Sequence, residues 1–383
     1  MPDASQNPDV LFCLTGDIRR NSRAIRQLRV LSENGLRVKA IGFADGESAE
    51  TLASGVEAVH FAKPSGGGPR WFRDVHRIVR RHVLSSPARL FHASDLFVLP
   101  ALAAAARRFD AALSFDSREL YPHVGATAGK PWASAFWKVI ERMYITKADV
   151  VFTVNDSIAD LLARAYSIDR PLVVPNIPNK RAFRRSSNLR NWIGAKDHEL
   201  IFLLQGYLKP GRGCKIAIRA TAKVADARLI FVGDGALQPD LVRLANQLDI
   251  GNRVHFHPFV PPDQLVEVTS SADIGLCLIE PLTKSLELAL PNKLFEYLAA
   301  RLPVLGSDLP EIARVIREFD VGLVCTPAAD DVAAGMCDIM SKRARIDEWS
   351  DNTDRVFETF SPEKASDAFF KGILQALASN YVL

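Results

Sequence analysis

The stretch LPNKLFEYLAARLPVLGSD, Leu290 to Asp308, passes from a helix directly into a strand. Asn292 suits an N-cap, because its side-chain oxygen can accept from a free backbone N–H of the first turn. Leu294, Phe295, Leu298, Ala299 and Leu302 recur at helical spacing and would face a core. Pro303 stops that helix, and PVLGSD reads as a short strand and turn. Lys293 and Glu296 therefore lie at a helix start, where unpaired N–H groups and the dipole favour an anion. Glu296 there either rests as a capped, solvated carboxylate or hydrogen-bonds neighbouring hydroxyls of a ligand whose phosphates lie at the helix end.

Working outward, the same helix–strand alternation fills the chain. DVLFCLTGD is a strand ending in a Gly turn, SRAIRQLRVLSENG a helix closed by Gly35, and LRVKAIGF the next strand. ARLFHASD, AALSFDSREL and DVVFTVND are further strands, separated by LFVLPALAAAARRF and WASAFWKVIERMYITKA as helices. PLVVPNIPNK, Pro171 to Lys180, is rich in Pro and Asn and marks a domain boundary. A second series follows, with ELIFLLQGY, ARLIFVGDG, RVHFHPFV, ADIGLCLIE, LPVLGSD and VGLVCT as strands. This βαβα rhythm predicts two Rossmann-like α/β domains, each a parallel sheet wrapped by helices. The expected division is residues 1–178, residues 179–365, and a C-terminal helix over 366–383 packing back toward the first domain.

A chain of 383 residues is too long for one ordinary core, which agrees with two domains. Hydrophobic residues at 48% and charged residues at 24% describe a globular protein. No apolar run reaches the length of a bilayer span, and the polar N-terminus carries no signal-peptide pattern. Cys13, Cys214, Cys277, Cys325 and Cys337 are scattered with no CxxC pair, which fits a reducing cytoplasm and disfavours a zinc site. The net charge of +4 is uneven, with 23 basic and 18 acidic residues in 1–175. The excess clusters in RWFRDVHRIVRRHV, Arg70 to Val83, an amphipathic helix that is either an ordinary surface helix or a face for an anionic membrane. Nothing points to nucleic acid.

In such sheets ligands collect at the carboxyl ends of strands. In the first half these ends hold Gly16, Asp17, His92, Ser94, Asp95, Asp116, Arg118 and Glu119. In the second half they hold Gly206, Lys209, Arg212, Gly233, Asp234, Pro258, Phe259, Val260, Asn292, Lys293, Leu294 and Glu296. LKPGRG is not GxxxxGK[ST], and no GxGxxG follows the first strand, so nucleotide hydrolysis and dinucleotide binding are disfavoured. Arg212 between two glycines still offers a bidentate phosphate contact beside an open backbone. The second set suits a diphosphate plus a ribose; the first suits a hydroxylated acceptor. Two domains with the ligand between them imply a cleft that closes.

With those motifs in their order, the sequence resembles a family-4 glycosyltransferase of the GT-B fold over about residues 9 to 370. The resemblance rests on TGDIRRNSRAIRQLRVLSENGLRV, FHASDLFVLPALAAAARRF, DSRELYP, LLQGYLKPGRG, FVGDGAL, ADIGLCLIEP and LPNKLFEYLAARLPV. It implies sugar transfer from a nucleoside-diphosphate sugar (UDP- or GDP-linked) to a hydroxyl, with retained configuration and no metal or other cofactor. It implies that the C-terminal domain holds the donor and the N-terminal domain the acceptor. Glu296 matches the ribose-binding glutamate, Arg212 and Lys293 would neutralise the leaving diphosphate, the backbone near Pro258 to Val260 would meet the base, and Gly16 would pack on the diphosphate. The catalytic set expected is Arg212, Lys293, His92 and Glu119, with Asp17, Ser94, Asp95, Asp116 and Arg118 on the acceptor side.

Three stretches depart from the family pattern. Its first motif glutamate falls at Leu288, and Glu280 and Glu287 are the two candidates to replace it. Asp116-Ser117-Arg118-Glu119 stands where Asp-x-His-Glu is usual, and Ser94 where a second histidine often falls. The usual Arg-plus-Lys pair is here Lys209 and Arg212. The expected setting is polysaccharide or glycoconjugate synthesis in the cytoplasm, with a lipid-linked acceptor and peripheral contact with the cytoplasmic membrane face through Arg70 to Val83. A sugar-nucleotide epimerase of the same fold and a non-catalytic nucleotide-sugar-binding subunit are the alternatives.

Overall fold

The computed structural model describes residues 7–127, 129–178, 186, 188–261 and 264–379. The described residues form two compact units. One takes in the chain up to His123, Gly129–Asn176 and the residues from Glu363 onward; the other takes in Val124–Ala128 and Ile177–Pro362. Lys180 at the end of the expected boundary stretch lies outside the described residues, as do residues 1–6 and 380–383.

The first unit carries β1 (Val10–Cys13), β2 (Val38–Ala44), β3 (Ser48–Thr51), β4 (Glu57–Ala62), β5 (Leu90–Ala93), β6 (Ala112–Ser117), β7 (Val150–Thr153) and β8 (Leu172–Val173). Their order is β3-β4-β2-β1-β5-β6-β7-β8, parallel throughout except where β3 meets β4. The second unit carries β9 (Leu200–Gln205), β10 (Ala227–Val232), β11 (Val254–His257), β12 (Ile274–Cys277), β13 (Val304–Ser307) and β14 (Gly322–Cys325). These lie in the order β11-β10-β9-β12-β13-β14, all parallel. The strand order reverses direction at β9/β12 and, in the first unit, at β1/β5. At such switch points the flanking loops part and leave a crevice at the carboxyl ends.

Strand β9 shows why the runs are almost wholly apolar. Leu200, Phe202 and Leu204 pack into one core cluster with Phe231 and Trp349, while Ile201 and Leu203 enter another with Tyr297 and Ile316. A strand covered on both faces needs an apolar residue at every position rather than every second one. In the first unit the C-terminal helix Pro362–Ser379 lays Phe369, Ile373 and Ala376 against Val10, Phe12 and Phe152. Among the described residues no helix is long and apolar enough to cross a membrane.

Four local readings are corrected. Pro291 is the extended cap residue and Asn292 is the first helical residue, its side chain exposed and making no cap bond. Proline is pre-set for that extended entry, so it takes the position the sequence offered to Asn292. The helix ends at Ala299, ahead of Pro303, with Arg301 turning to φ 54°. β8 lies inside the stretch read as a linker. The edge strand β3 and its neighbour β4 were not read at all, since SAET has no apolar run and only alternate residues of EAVHFA are buried.

Candidate functional site

The second unit brings its predicted polar residues to the β9/β12 switch point. After β9 the chain runs through Gly206 and exposed Lys209 into Gly211, Arg212 and Gly213, which caps the helix Cys214–Ala222. Gly213 has φ 70°, and a Cβ there would stand 2.4 Å from Cβ of Leu278 beyond β12. Only glycine permits both that backbone and that approach. Glu280 clasps the loop: its backbone N–H donates to the Gly211 carbonyl at 3.2 Å, and its Oε1 accepts from Gly213 N–H at 3.1 Å. Glu287 is engaged by Lys284 at 2.7 Å, and Leu288, at the missing glutamate's place, is buried.

From β13's preceding helix, Asn292–Ala299, come Lys293 and Glu296. Lys293 is buried yet makes no hydrogen bond or ion pair among the described residues. Burial pushes its ammonium below the ordinary lysine range; the thiols of Cys277 and Cys214 and the Glu296 carboxylate pull it back, while the nearby Arg212 guanidinium pushes the same way as burial. Arg212, half-buried, also has no carboxylate partner among the described residues. Leu294, the next residue, is fully buried and faces the core. Two neighbouring cations that make no direct ion pair among the described residues are electrostatically costly unless an anionic ligand meets them.

Glu296 is aimed by Gln205, which the sequence places at the end of a strand beside Gly206 but to which the motif reading gave no role. Gln205 donates through Nε2 to Glu296 Oε2 at 2.7 Å, and its Oε1 accepts from the Thr269 hydroxyl at 2.8 Å. The Gln205 backbone N–H donates to the Tyr297 hydroxyl at 3.0 Å, which itself reaches the Leu203 carbonyl at 3.1 Å. The signal available in sequence was a glutamine at the end of an otherwise apolar strand. On the other side of β9, the Gly233–Asp234 turn follows β10, and its Asp234 carbonyl accepts from Leu208 N–H at 2.8 Å. Pro258 and Phe259 after β11 are exposed, Phe259 at 40%, and Val260 is buried.

In the first unit the expected residues separate. Asp95 joins the two sides of the β1/β5 switch point, accepting from the Thr15 N–H at 2.7 Å and the Thr15 hydroxyl at 2.8 Å. Arg118 stands 3.9 Å from Asp95. Burial depresses its guanidinium, but the acidic groups Tyr121, Asp95, Asp116 and Glu119 outweigh that and raise it. Ser94 and Tyr121 are buried with hydroxyls that have no hydrogen-bond partner among the described residues. Gly16 accepts from Phe43 N–H through its carbonyl at 3.0 Å, so its backbone is tied to β2. Asp17 is engaged by Arg19 at 2.7 Å, and Glu119 is exposed.

Two expected groups are out of reach. Asp116 is fully buried and salt-bridged to Arg23 at 2.6 Å, with Gln27 donating to the same carboxylate at 2.9 Å. Burial works to raise it, and the Arg23 charge and hydrogen bonds hold it below its ordinary value. His92, expected as catalytic, has no exposed surface. It stacks on Phe12 at 4.6 Å and meets Phe369 edge-on at 5.6 Å, with Nδ1 2.8 Å from the Ser114 hydroxyl. Burial drives it down to about 4, so at neutral pH it is an uncharged core ring.

Two largely parallel α/β sheets in a single chain, each with its own switch point, are the architecture of the GT-B class of α/β protein. The solved sucrose-phosphate synthase from Thermosynechococcus elongatus shares the fold with a TM-score of 0.79 at 15% identity, covering 98% of this chain and 100% of that one. Anabaena HepE, solved in complex with UDP-glucose, shares it with a TM-score of 0.73 at 15% identity, over 97% and 99%. Residues 186–356 match the family of glycosyl transferases group 1, and residues 19–177 match the glycosyl transferase 4-like domain. The chain belongs to the group 1, family-4 glycosyltransferases. Among curated relatives, the N-acetyl-alpha-D-glucosaminyl L-malate synthase of Bacillus anthracis is 26% identical over 242 residues, 58% of this chain and 58% of that protein. The chain thus matches little more than half the length of that relative.

Proposed function

We propose that this chain is a retaining, metal-independent hexosyltransferase that uses a nucleoside-diphosphate sugar and a hydroxyl acceptor in polysaccharide or glycoconjugate synthesis. The observation that carries the reading is the Arg212–Lys293 couple, two cations that make no direct ion pair among the described residues at the β9/β12 switch point. The helix start at Asn292 adds backbone N–H groups and a favourable dipole to the same place. Glu296, held by Gln205, would accept from the ribose hydroxyls, and exposed Phe259 would lie against the base. HepE, a protein of the same fold, was solved with UDP-glucose, which supports a donor of that class.

In the proposed step the bond from the sugar's anomeric carbon to the diphosphate oxygen breaks as the acceptor oxygen bonds to that carbon from the same face. The departing phosphate oxygen takes the acceptor's proton, so configuration is retained and no nucleophile from the protein is needed. Arg212 and Lys293 stabilise the charge growing on the diphosphate. Asp95 and Arg118 at the first unit's switch point are the groups offered to the acceptor; fully buried His92 is assigned no contact with substrate. A lipid-linked acceptor is favoured by the basic helix Gly68–Val83, which would place the protein peripherally at the cytoplasmic membrane face.

The test is release of nucleoside diphosphate from UDP- and GDP-sugars with and without chelator. Arg212→Ala and Lys293→Ala leave no orphaned carboxylate behind, so their effect on stability should be small. Each should lower turnover by roughly a hundredfold or more, the usual effect of removing one preorganised charge contact. Near-normal turnover in both variants would refute the reading, and full dependence on an added divalent cation would refute its metal-independent part.

A further inference from the structure

The helix Pro131–Ile145 in the first unit breaks the rule for a surface helix. Trp132, Phe136, Val139 and Met143 follow one another at spacings of four, three and four, which puts them on one face. That face is turned to solvent: Trp132 is 63% exposed, Val139 57%, Met143 48% and Phe136 36%. Lys130, Lys138, Arg142 and Lys147 flank it and are exposed. The helix's one carboxylate, Glu141, points inward, fully buried against Tyr166. The outward surface is therefore apolar in the middle and positive at its edges.

The basic helix Gly68–Val83 adjoins it. Phe72 meets Phe136 at 6.2 Å and Trp137 at 5.0 Å, so the two helices share an aromatic seam. Beyond the seam Arg73, His76, Arg77, Arg80 and Arg81 line an open surface groove along the helix. Asp74 is the helix's one acid and lies 3.5 Å from Arg73.

We propose that these two helices form a single docking surface for an anionic lipid bilayer, with Trp132, Phe136, Val139 and Met143 entering the headgroup–acyl boundary and the arginines meeting lipid phosphates. The charge decides between occupants. A second copy of this chain laid on the same face by a two-fold axis would oppose arginines to arginines, whereas a leaflet of anionic lipids neutralises them while accepting the apolar stripe. The inference extends the membrane contact proposed above for the basic helix by supplying the apolar anchor. It stands whether or not the chain transfers sugar.

The experiment is co-sedimentation with vesicles of phosphatidylglycerol and phosphatidylcholine, against phosphatidylcholine alone, at low and high salt. The parent should pellet with the anionic vesicles at low salt and much less with the neutral ones. The triple variant Trp132→Ser, Val139→Ser, Met143→Ser replaces exposed side chains only and should lose at least tenfold in partition. Arg77→Ala with Arg80→Ala and Arg81→Ala should abolish most of the salt-sensitive part. Thermal unfolding and calorimetry with UDP, unchanged in both variants, separate a failure of this surface from a failure of the donor site. The proposal is overturned if the parent stays in the supernatant at low salt, or if the triple variant pellets like the parent. Sedimentation velocity showing a dimer that the triple variant abolishes would also overturn it.

Discussion

The side-chain amide of Gln205 lies 2.7 Å from the carboxylate of Glu296, and the far end of that amide is held by the Thr269 hydroxyl at 2.8 Å. A carboxylate meant to grip two neighbouring hydroxyls loses much of its value if it can rotate away. Gln205 fixes Oε2 of that carboxylate. Gln205→Ala should weaken nucleoside-diphosphate binding by roughly tenfold or more, the worth of one hydrogen bond to a charged group. Gln205→Glu should be worse and pH-dependent, since two carboxylates at that distance share a proton. Its affinity for UDP should recover as pH falls, a pattern that a purely structural role for Gln205 would not produce. Calorimetry at several pH values checks both variants.

Glu141 should make the first unit's stability fall with rising pH. It is fully buried, accepting from the Tyr166 hydroxyl at 2.6 Å and the Ser117 hydroxyl at 3.5 Å. Burial pushes the carboxyl up to about 7, against the pull of those two bonds. Because the folded value lies above the unfolded one, the folded state keeps its proton where the unfolded chain has lost it. Stability from this group is full below the unfolded value, 4.5, and is lost as pH rises toward 7. Glu141→Gln should remove that slope and gain roughly 3 kcal/mol at neutral pH and above. Denaturant titrations across that range, followed by first-unit probes, give the answer.

The loop carrying Arg212 should be brittle at Gly213. Alanine there meets a left-handed φ of 70° and Leu278 Cβ at 2.4 Å together. The loss should be about 2 kcal/mol or more, from backbone strain and displaced packing combined. Gly35→Ala is the comparison: φ is 81° there with open space around it, so only the strain, about 1 kcal/mol, should appear. Equal midpoints for the two variants in thermal unfolding would contradict this account.

Phe369 should matter to the first unit alone. Its ring lies 5.1 Å from Phe152 and 5.6 Å from His92, within the cluster that holds Val10 and Phe12. Phe369→Ala should cost roughly 3–5 kcal/mol, typical for a large ring removed from a packed core. Hydrogen exchange should show lost protection in β1 and β7 with β9 unchanged; uniform loss across both sheets would count against it.

Much of this architecture was legible in the sequence, for a physical reason. Sheets buried on both faces demand runs such as LIFLLQ and ARLIFV, and glycines and prolines punctuate them. What escaped lay where that demand relaxes. β3 is half exposed, and β8 is two residues long inside a Pro-rich stretch. The grouping at the candidate site was legible where charge sat beside glycine or a helix start, as with Arg212, Lys293 and Glu296. It was not legible where geometry alone decides. His92 and Asp116 look like reactive groups in a string of letters, but they sit on β5 and β6 with their side chains turned into the core. Conversely, Gln205 and Thr269 are 64 positions apart, and no spacing rule joins them. The stripe of Trp132, Phe136, Val139 and Met143 was visible as helical, but nothing in the letters tells an apolar face that meets a core from one that meets solvent.

The helix Pro362–Ser379 has a consequence for how the molecule is made. Its apolar face closes a cluster whose other members, Val10, Phe12 and Phe152, are synthesised far earlier. On the ribosome the second unit, whose described residues end before that helix, can mature while the first still waits for its closing piece. The first unit's core is therefore completed only once residues 362–379 have been made, so its two halves must wait for each other across the whole length of the second unit.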